Sequence, residues 1–255
     1  MGALIKMGSC PFCGQGTRTP CFAIYNDGYH CYSCGKNKHG KSHEYAFRPQ
    51  IQTNNLAFPR ITLNPNEFSL NVLQWLYKYY VFEDLIYKYK IGYSLPYNGS
   101  EESLVYGCYD KNELLFWQQR FFPSKRFKTG GDKNTLFLIE TFKSKYIVLV
   151  EDFISAIRVG EHVDTLCLWG TSLNYKMINF LKFQNRDIII WLDPDDAGRT
   201  ASKKLLEKLK TNLDNIALYR AFSIRESRTV SILETGKQPK DYCPEEIIKI
   251  LENYK

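Results

Sequence analysis

The chain has 255 residues, 44% of them hydrophobic, enough to bury a core and to exclude an intrinsically disordered polymer. Lys and Arg number 34 against 27 Asp and Glu, and the net charge of +7 favours a polyanionic partner. Uninterrupted apolar runs such as Ile188–Leu192 reach about five residues where a membrane span needs about twenty, and polar residues follow Ile5 too soon for a secretory leader. A soluble, cytoplasmic protein is expected, with no membrane partner.

Five of the eight cysteines fall within the first 34 residues. Thiols kept reduced inside a cell and clustered in pairs point to metal rather than to a disulfide scaffold. Cys10 and Cys13 form one Cys-x-x-Cys pair and Cys31 and Cys34 a second, with 17 residues between them. Gly14 and Gly35 follow the pairs and let the backbone fold beneath the sulfurs. Four thiolates suit one closed, tetrahedral, structural Zn2+ site, and the spacing is that of a zinc ribbon. Cys21 reads as a small buried residue and His30 as a polar neighbour of the site. Residues 21–25 read as a strand, turned by Asn26, Asp27 and Gly28. Gly35, Gly40, Lys41 and Ser42 satisfy the letters of a phosphate-binding P-loop. No hydrophobic strand delivers that segment, so a solvated basic turn is expected instead.

Residues 49–65, rich in Pro, Asn and Gln, read as a linker and mobile tether. Phe68, Val72, Trp75, Leu76 and Tyr79 recur at helical spacing over 67–80, and a short helix is expected over 83–90. Residues 104–109 and 114–120 flank a turn at 110–113 and read as a hairpin. Arg120, Lys125, Arg126 and Lys128 follow within nine residues, interleaved with Phe121, Phe122 and Phe127 and with no acid among them. Cations for phosphates and rings for bases are the composition of a single-strand site, and Gly130 and Gly131 offer close backbone approach to a phosphate.

From residue 145 strands and helices alternate. Strands are expected at 146–150, 165–169, 188–192 and 216–219, and helices at 153–160, 175–183, 197–210 and 244–254. Such a series implies a largely parallel sheet. Glu151 directly follows the first of these strands, and Asp193 and Asp195 follow the third. Ligands bind at the carboxyl ends of strands in such sheets, so these acids are expected to converge on one mouth. Hard oxygen donors suit Mg2+ or Mn2+. Asp152 and Asp196 are expected as helix caps, Asp241 as a neighbour of the metal site, and Lys237 and Lys240 as surface charge.

Val150–Glu151, Gly170–Thr171 and the run Asp193, Pro194, Asp195, Asp196, Ala197, Gly198 resemble the three signatures of the Toprim fold. With a four-cysteine ribbon and a basic segment ahead of them, their order is similar to that of phage and bacterial DNA primases, as are segments at 91–94, 117–120 and 236–241. The family's first motif has a glycine after the glutamate and an aspartate a few residues on, where this chain has Asp152 and Ser155. The resemblance implies an α/β protein. It would comprise a zinc ribbon (1–48) that recognises the template start and retains the initiating nucleotide, a linker (49–65), and an α+β N-terminal subdomain of the primase core (66–144). A Toprim subdomain with a largely parallel sheet would follow (145–255). It further implies RNA primer synthesis on single-stranded DNA from ribonucleoside triphosphates. Glu151, Asp193 and Asp195 would be catalytic and hold two Mg2+ or Mn2+ ions. Arg120, Lys125, Arg126 and Lys128 would bind nucleotide and template, and a separate replicative helicase would unwind the duplex. For a phage-encoded chain the compartment is the host cytoplasm. Two rivals share the parts: a Toprim nuclease, and a non-catalytic zinc-and-Toprim recombination mediator.

Overall fold

The structure is a computed structural model that describes residues 4–10, 16, 20–25, 28–34, 37–39, 57–94, 101–111, 113–142, 144–184, 186–219 and 229–253. Cys13, Gly14, Gly35, Asn26, Asp27 and most of the linker lie outside the described residues. The chain divides between Ile51 and Gln52 into two compact units.

The first unit is an antiparallel sheet of four strands in sequence order: β1 (Leu4–Gly8), β2 (Phe22–Tyr25), β3 (Gly28–Cys31) and β4 (Asn37–His39). β2 and β3 form the expected hairpin, in which Phe22 faces Cys31 and Tyr25 faces Gly28. Among the described residues its core cluster is Phe22, Cys10 and Cys31, with Cys21, Ile24 and Tyr29 packed against them. Asn37–His39 pairs with β3, so the middle of the P-loop-like stretch is a strand and not a solvated turn.

The second unit opens with two helices, α1 (Leu70–Lys78) and α2 (Glu83–Lys88). Ser69 caps α1 by accepting from the Val72 amide, and Val72 and Leu76 face the core beside Phe68. An antiparallel sheet follows, made of β5 (Gly92–Ser94), β6 (Glu102–Asp110), β7 (Glu113–Phe122) and β8 (Phe127–Gly131) in that order. Beyond it the chain builds β9 (Phe137–Ile139), β10 (Tyr146–Val150), α3 (Phe153–Gly160), β11 (Thr165–Cys167), α4 (Tyr175–Phe183) and β12 (Asp187–Ile190). It ends with α5 (Asp196–Tyr219), β13 (Val230–Ile232) and α6 (Pro244–Glu252). These strands form a five-stranded sheet in the order β13, β12, β10, β11, β9, parallel except for β9 at its edge. Every residue of the central strand β10 is buried, which explains its unbroken apolar sequence.

The strand expected at 216–219 does not form; those residues continue α5. Four apolar residues do not separate a strand from a helical turn, and no Gly or Pro interrupts 199–219 to stop the helix. The edge position is taken by β13, whose three residues are all half-buried. β11 ends at Cys167, ahead of the expected 169, and Trp169 and Gly170 then turn with φ of 55° and 141°. No helix among the described residues is long and apolar enough to cross a membrane.

Candidate functional site

β10 and β12 are hydrogen-bonded neighbours, with Leu149 opposite Ile190 and the Trp191 amide donating to the Leu149 carbonyl at 2.9 Å. Glu151 directly follows β10, whereas β12 ends at Ile190, ahead of the expected 192, and Asp193 lies three residues beyond it. The Glu151 carbonyl accepts from the Gly170 amide at 2.9 Å, tying this tip to the exit of β11. Burial, with Asp193, Asp152 and Asp195 nearby, pushes the Glu151 carboxyl up to about 7 against the pull of Lys240. Burial also raises Asp193 to about 6; Lys240 opposes this, while Asp152, Asp195 and Asp241 add to it. Asp193 Oδ1 is buried and has no hydrogen-bond partner among the described residues.

Asp195 Oδ1 accepts from the Gly198 amide at 2.7 Å, and its carbonyl accepts from the Arg199 amide at 2.9 Å. The cap of α5 is therefore Asp195 and not Asp196, which is exposed and pairs with Arg199 at 2.6 Å. A Cβ on Gly198 would lie 2.0 Å from the Asp193 carbonyl oxygen, so this close approach of α5 to the strand exit requires glycine. Asp152 caps α3, accepting from the Ile154 and Ser155 amides at 2.9 and 3.1 Å. Among the described residues, only Cys10, Cys31 and Cys34 bring three ligand atoms within 4.8 Å of one another. Glu151, Asp193 and Asp195 do not form such a cluster among the described residues.

Lys240, expected on the surface, belongs to the mouth. Its side chain is 13% exposed and its Nζ donates to Asp152 Oδ2 at 2.8 Å. Ser155 Oγ donates to the same oxygen at 2.8 Å. Burial pushes the Asp152 carboxyl up, but Lys240 and Ser155 outweigh it and hold Asp152 below its ordinary value. Burial likewise lowers Lys240, and Asp152 and Asp193 more than offset it. The segment that delivers Lys240 is held by a 2.9 Å bond from Trp191 Nε1 to Thr235 Oγ1 and by the short 3-10 turn Pro239–Asp241. A turn carries no hydrophobic period, so the sequence offers no signal for Lys240 beyond its place next to Asp241. Lys237 is on the surface as expected, 57% exposed and 3.9 Å from Glu246.

The basic stretch spans the β7–β8 hairpin. Arg120 lies opposite Phe127 in the ladder, and its guanidinium sits 4.5 Å from the Trp75 ring, 5.2 Å from Phe122 and 5.6 Å from Phe127. Its Nε is buried with no partner among the described residues. Arg126 and Lys128 lie over the Phe121 ring, and Lys125 is exposed in the turn with φ of 58°. An acid does reach this group: Glu101, brought alongside by β6, pairs with Arg126. The two glycines serve packing rather than phosphate. A Cβ on Gly130 would meet the Trp117 indole at 2.3 Å, and one on Gly131 would meet the Leu115 carbonyl oxygen at 2.2 Å.

In the first unit Cys10 Sγ lies 3.8 Å from Cys34 Sγ, and the Cys34 amide donates to Cys31 Sγ at 3.4 Å. Sulfurs at about 2.3 Å from a tetrahedral ion are themselves about 3.8 Å apart, so the cluster has the dimensions of a metal-thiolate site. Cys21 is not the small buried residue expected: it is half-exposed, with Sγ 3.9 Å from Cys31 Sγ. His30 packs edge-on to Tyr32 at 4.7 Å.

A protein-family model described as Toprim-like matches residues 149–242, the segment that carries Glu151, Asp193, Asp195, Lys240 and Asp241. No curated protein matches the sequence. Two solved structures share the fold. The primase fragment of the bacteriophage T7 primase-helicase protein is 18% identical with a TM-score of 0.50, over 98% of this chain and 99% of that one. The Aquifex aeolicus primase, comprising zinc-binding and RNA polymerase domains, is 17% identical with a TM-score of 0.54, over 98% of this chain and 80% of that one. Residues 149–242 thus match the Toprim-like model, in a chain that shares its fold with these two solved structures.

Proposed function

We propose that the chain is a DNA primase that synthesises short RNA primers on single-stranded DNA. The observation that carries this reading is that Glu151 and Asp193 follow adjacent parallel strands, each with its carboxyl pushed up by burial and by nearby acids, within the segment that matches the Toprim-like model. The donor set fits a hard divalent cation: crowded carboxylates, and in Asp193 Oδ1 a buried oxygen with no donor among the described residues. Glu151, Asp193 and the second oxygen of Asp195 would hold Mg2+ or Mn2+, two ions in all, while Asp152 is committed to Lys240 and to its helix cap. When bound, such ions stabilise the entering and leaving oxygens of an in-line displacement.

The side chains supply the rest. Glu151 would serve either as a ligand of the cation or as the group that accepts the proton of the attacking 3′-hydroxyl. Arg120, Lys125, Arg126 and Lys128 hold triphosphate and template backbone. Cys10, Cys13, Cys31 and Cys34 hold one structural Zn2+ in a template-recognition module at residues 1–48, joined by the linker 49–65 to the core subdomains 66–144 and 145–255. A separate helicase supplies the open strand, and the work is done in the cytoplasm.

The test is ribonucleotide incorporation on short single-stranded DNA templates with Mg2+, beside Asp193→Ala. Labelled primers that vanish in the variant support synthesis. A shortened template supports a nuclease acting with water, and template binding without turnover supports a recombination mediator; either outcome overturns the primase reading.

A further inference from the structure

Composition gives equal standing to the three phenylalanines of the basic stretch, but the fold separates them. Phe121 is 7% exposed and lies beneath Arg126 and Lys128, whose charged groups sit 5.1 and 5.5 Å from its ring centre. Phe122 is packed edge-on against Trp75 at 5.3 Å. Phe127, the first residue of β8, keeps 51% of its surface exposed.

A lone exposed ring needs no explanation, but this one ends a continuous row of cations and rings within the second unit. Lys240, bonded to Asp152 at the acidic mouth, lies 5.9 Å from the Tyr79 ring. Tyr79 meets Trp75 edge-on at 5.0 Å. Arg120 covers Trp75 at 4.5 Å, and the same guanidinium lies 5.6 Å from Phe127. Among the described residues rings, not an acid, hold Arg120 in place, which leaves its charge for an anion. Each nucleotide of a single strand offers one phosphate and one open base face, whereas a duplex hides the faces by stacking. A row that combines cations with rings therefore matches a single strand.

We infer that this row is the floor of the template path, with Phe127 stacked on a template base and Arg120 holding the adjoining phosphate. The inference rests on the primase reading and adds to it the residue that grips the unpaired base. A plain phenyl ring has no hydrogen-bonding group, so the grip is independent of sequence.

The experiment uses the full-length chain with Phe127→Ala, Phe127→Leu and Phe127→Tyr. Anisotropy of a labelled single-stranded oligonucleotide reads binding, and primer synthesis is measured with template and nucleotide varied separately. Loss of one stacked base is expected to weaken template binding and raise the template KM about tenfold in the Ala and Leu variants. Phe127→Tyr should behave as wild type, and the nucleotide KM and melting midpoint should stay at wild-type values throughout. A Leu variant that binds and primes like wild type overturns the inference, since Leu keeps the bulk and loses the aromatic face. The two readings fail separately. Primers from wild type with an unchanged template KM in Phe127→Ala sink the platform alone; Phe127-dependent binding with no primer from wild type sinks the primase alone.

Discussion

At the scale of single residues, Asp152 and Lys240 stand apart from the other charges of the mouth because they neutralise each other. Removing one partner of a largely buried pair strands the other, at several kcal/mol when burial is complete and less where solvent reaches it. The Asp152 side chain is 31% exposed, so Lys240→Met is expected to cost about 2 kcal/mol in denaturant unfolding. Asn caps a helix as well as Asp, so Asp152→Asn combined with Lys240→Met should cost less than the two single changes together. A strictly additive double mutant would show that the pair is not coupled. Glu151 and Asp193 behave in the opposite sense. Their folded carboxyls titrate near 7 and 6, above the ordinary range, chiefly through burial. The folded state therefore holds protons that the unfolded state has released. The stability these groups contribute is full below about pH 4 and is lost as the pH rises through 6 to 7. With chelator present, the melting midpoint should fall between pH 5 and pH 8, and Glu151→Gln should flatten that fall. Added Mn2+ should raise the midpoint more at pH 8 than at pH 5, where protons compete for the same oxygens; equal shifts at both would contradict a carboxylate site.

At the scale of elements, the β6–β7–β8 sheet shows how pairing edits a charge pattern. Glu101 is 25 residues from Arg126 in sequence but forms an ion pair with it across the sheet. Glu101→Gln should thus free a cation and strengthen single-strand binding at low salt. Lys128, over Phe121 and with no acid paired to it among the described residues, should lower the slope of log affinity against log salt by about 0.7 when changed to Ala. An unaltered slope would remove Lys128 from the phosphate contacts. The same sheet shows why the glycine pair misleads. Gly130 and Gly131 are required by Trp117 and by the Leu115 carbonyl, neighbours supplied by the adjacent strand. Helices α3 and α4 fall on the residues that the pattern predicts, because caps and amphipathic spacing are local. The run 216–219 goes to α5 because no breaker residue separates it from the turns before.

At the scale of the whole molecule, the division at residues 51 and 52 sets a large apolar core apart from a very small one. Among the described residues the first unit buries Phe22, Ala23, Cys10 and Cys31, and metal bound to the thiolates is expected to supply much of its stability. Removing metal with a strong chelator under reducing conditions should abolish the dispersed NMR signals of the first unit. The thermal transition of the second unit should remain. Retention of the first unit's dispersed signals without metal would refute a structural ion.

Sequence alone determined what is local or periodic: the paired cysteines, the α/β alternation, the buried central strand, and the acids placed just beyond strand tips. Each of these depends on neighbours a few residues away, which is where spacing carries information. Tertiary structure decided what depends on distant partners. It brought Lys240 to Asp152 across 88 residues and Glu101 to Arg126, made Asp195 the cap of α5, and left Phe127 as the most exposed of three like rings. Burial and charge pairing are properties of the surroundings, and those surroundings exist only once the strands have found their order.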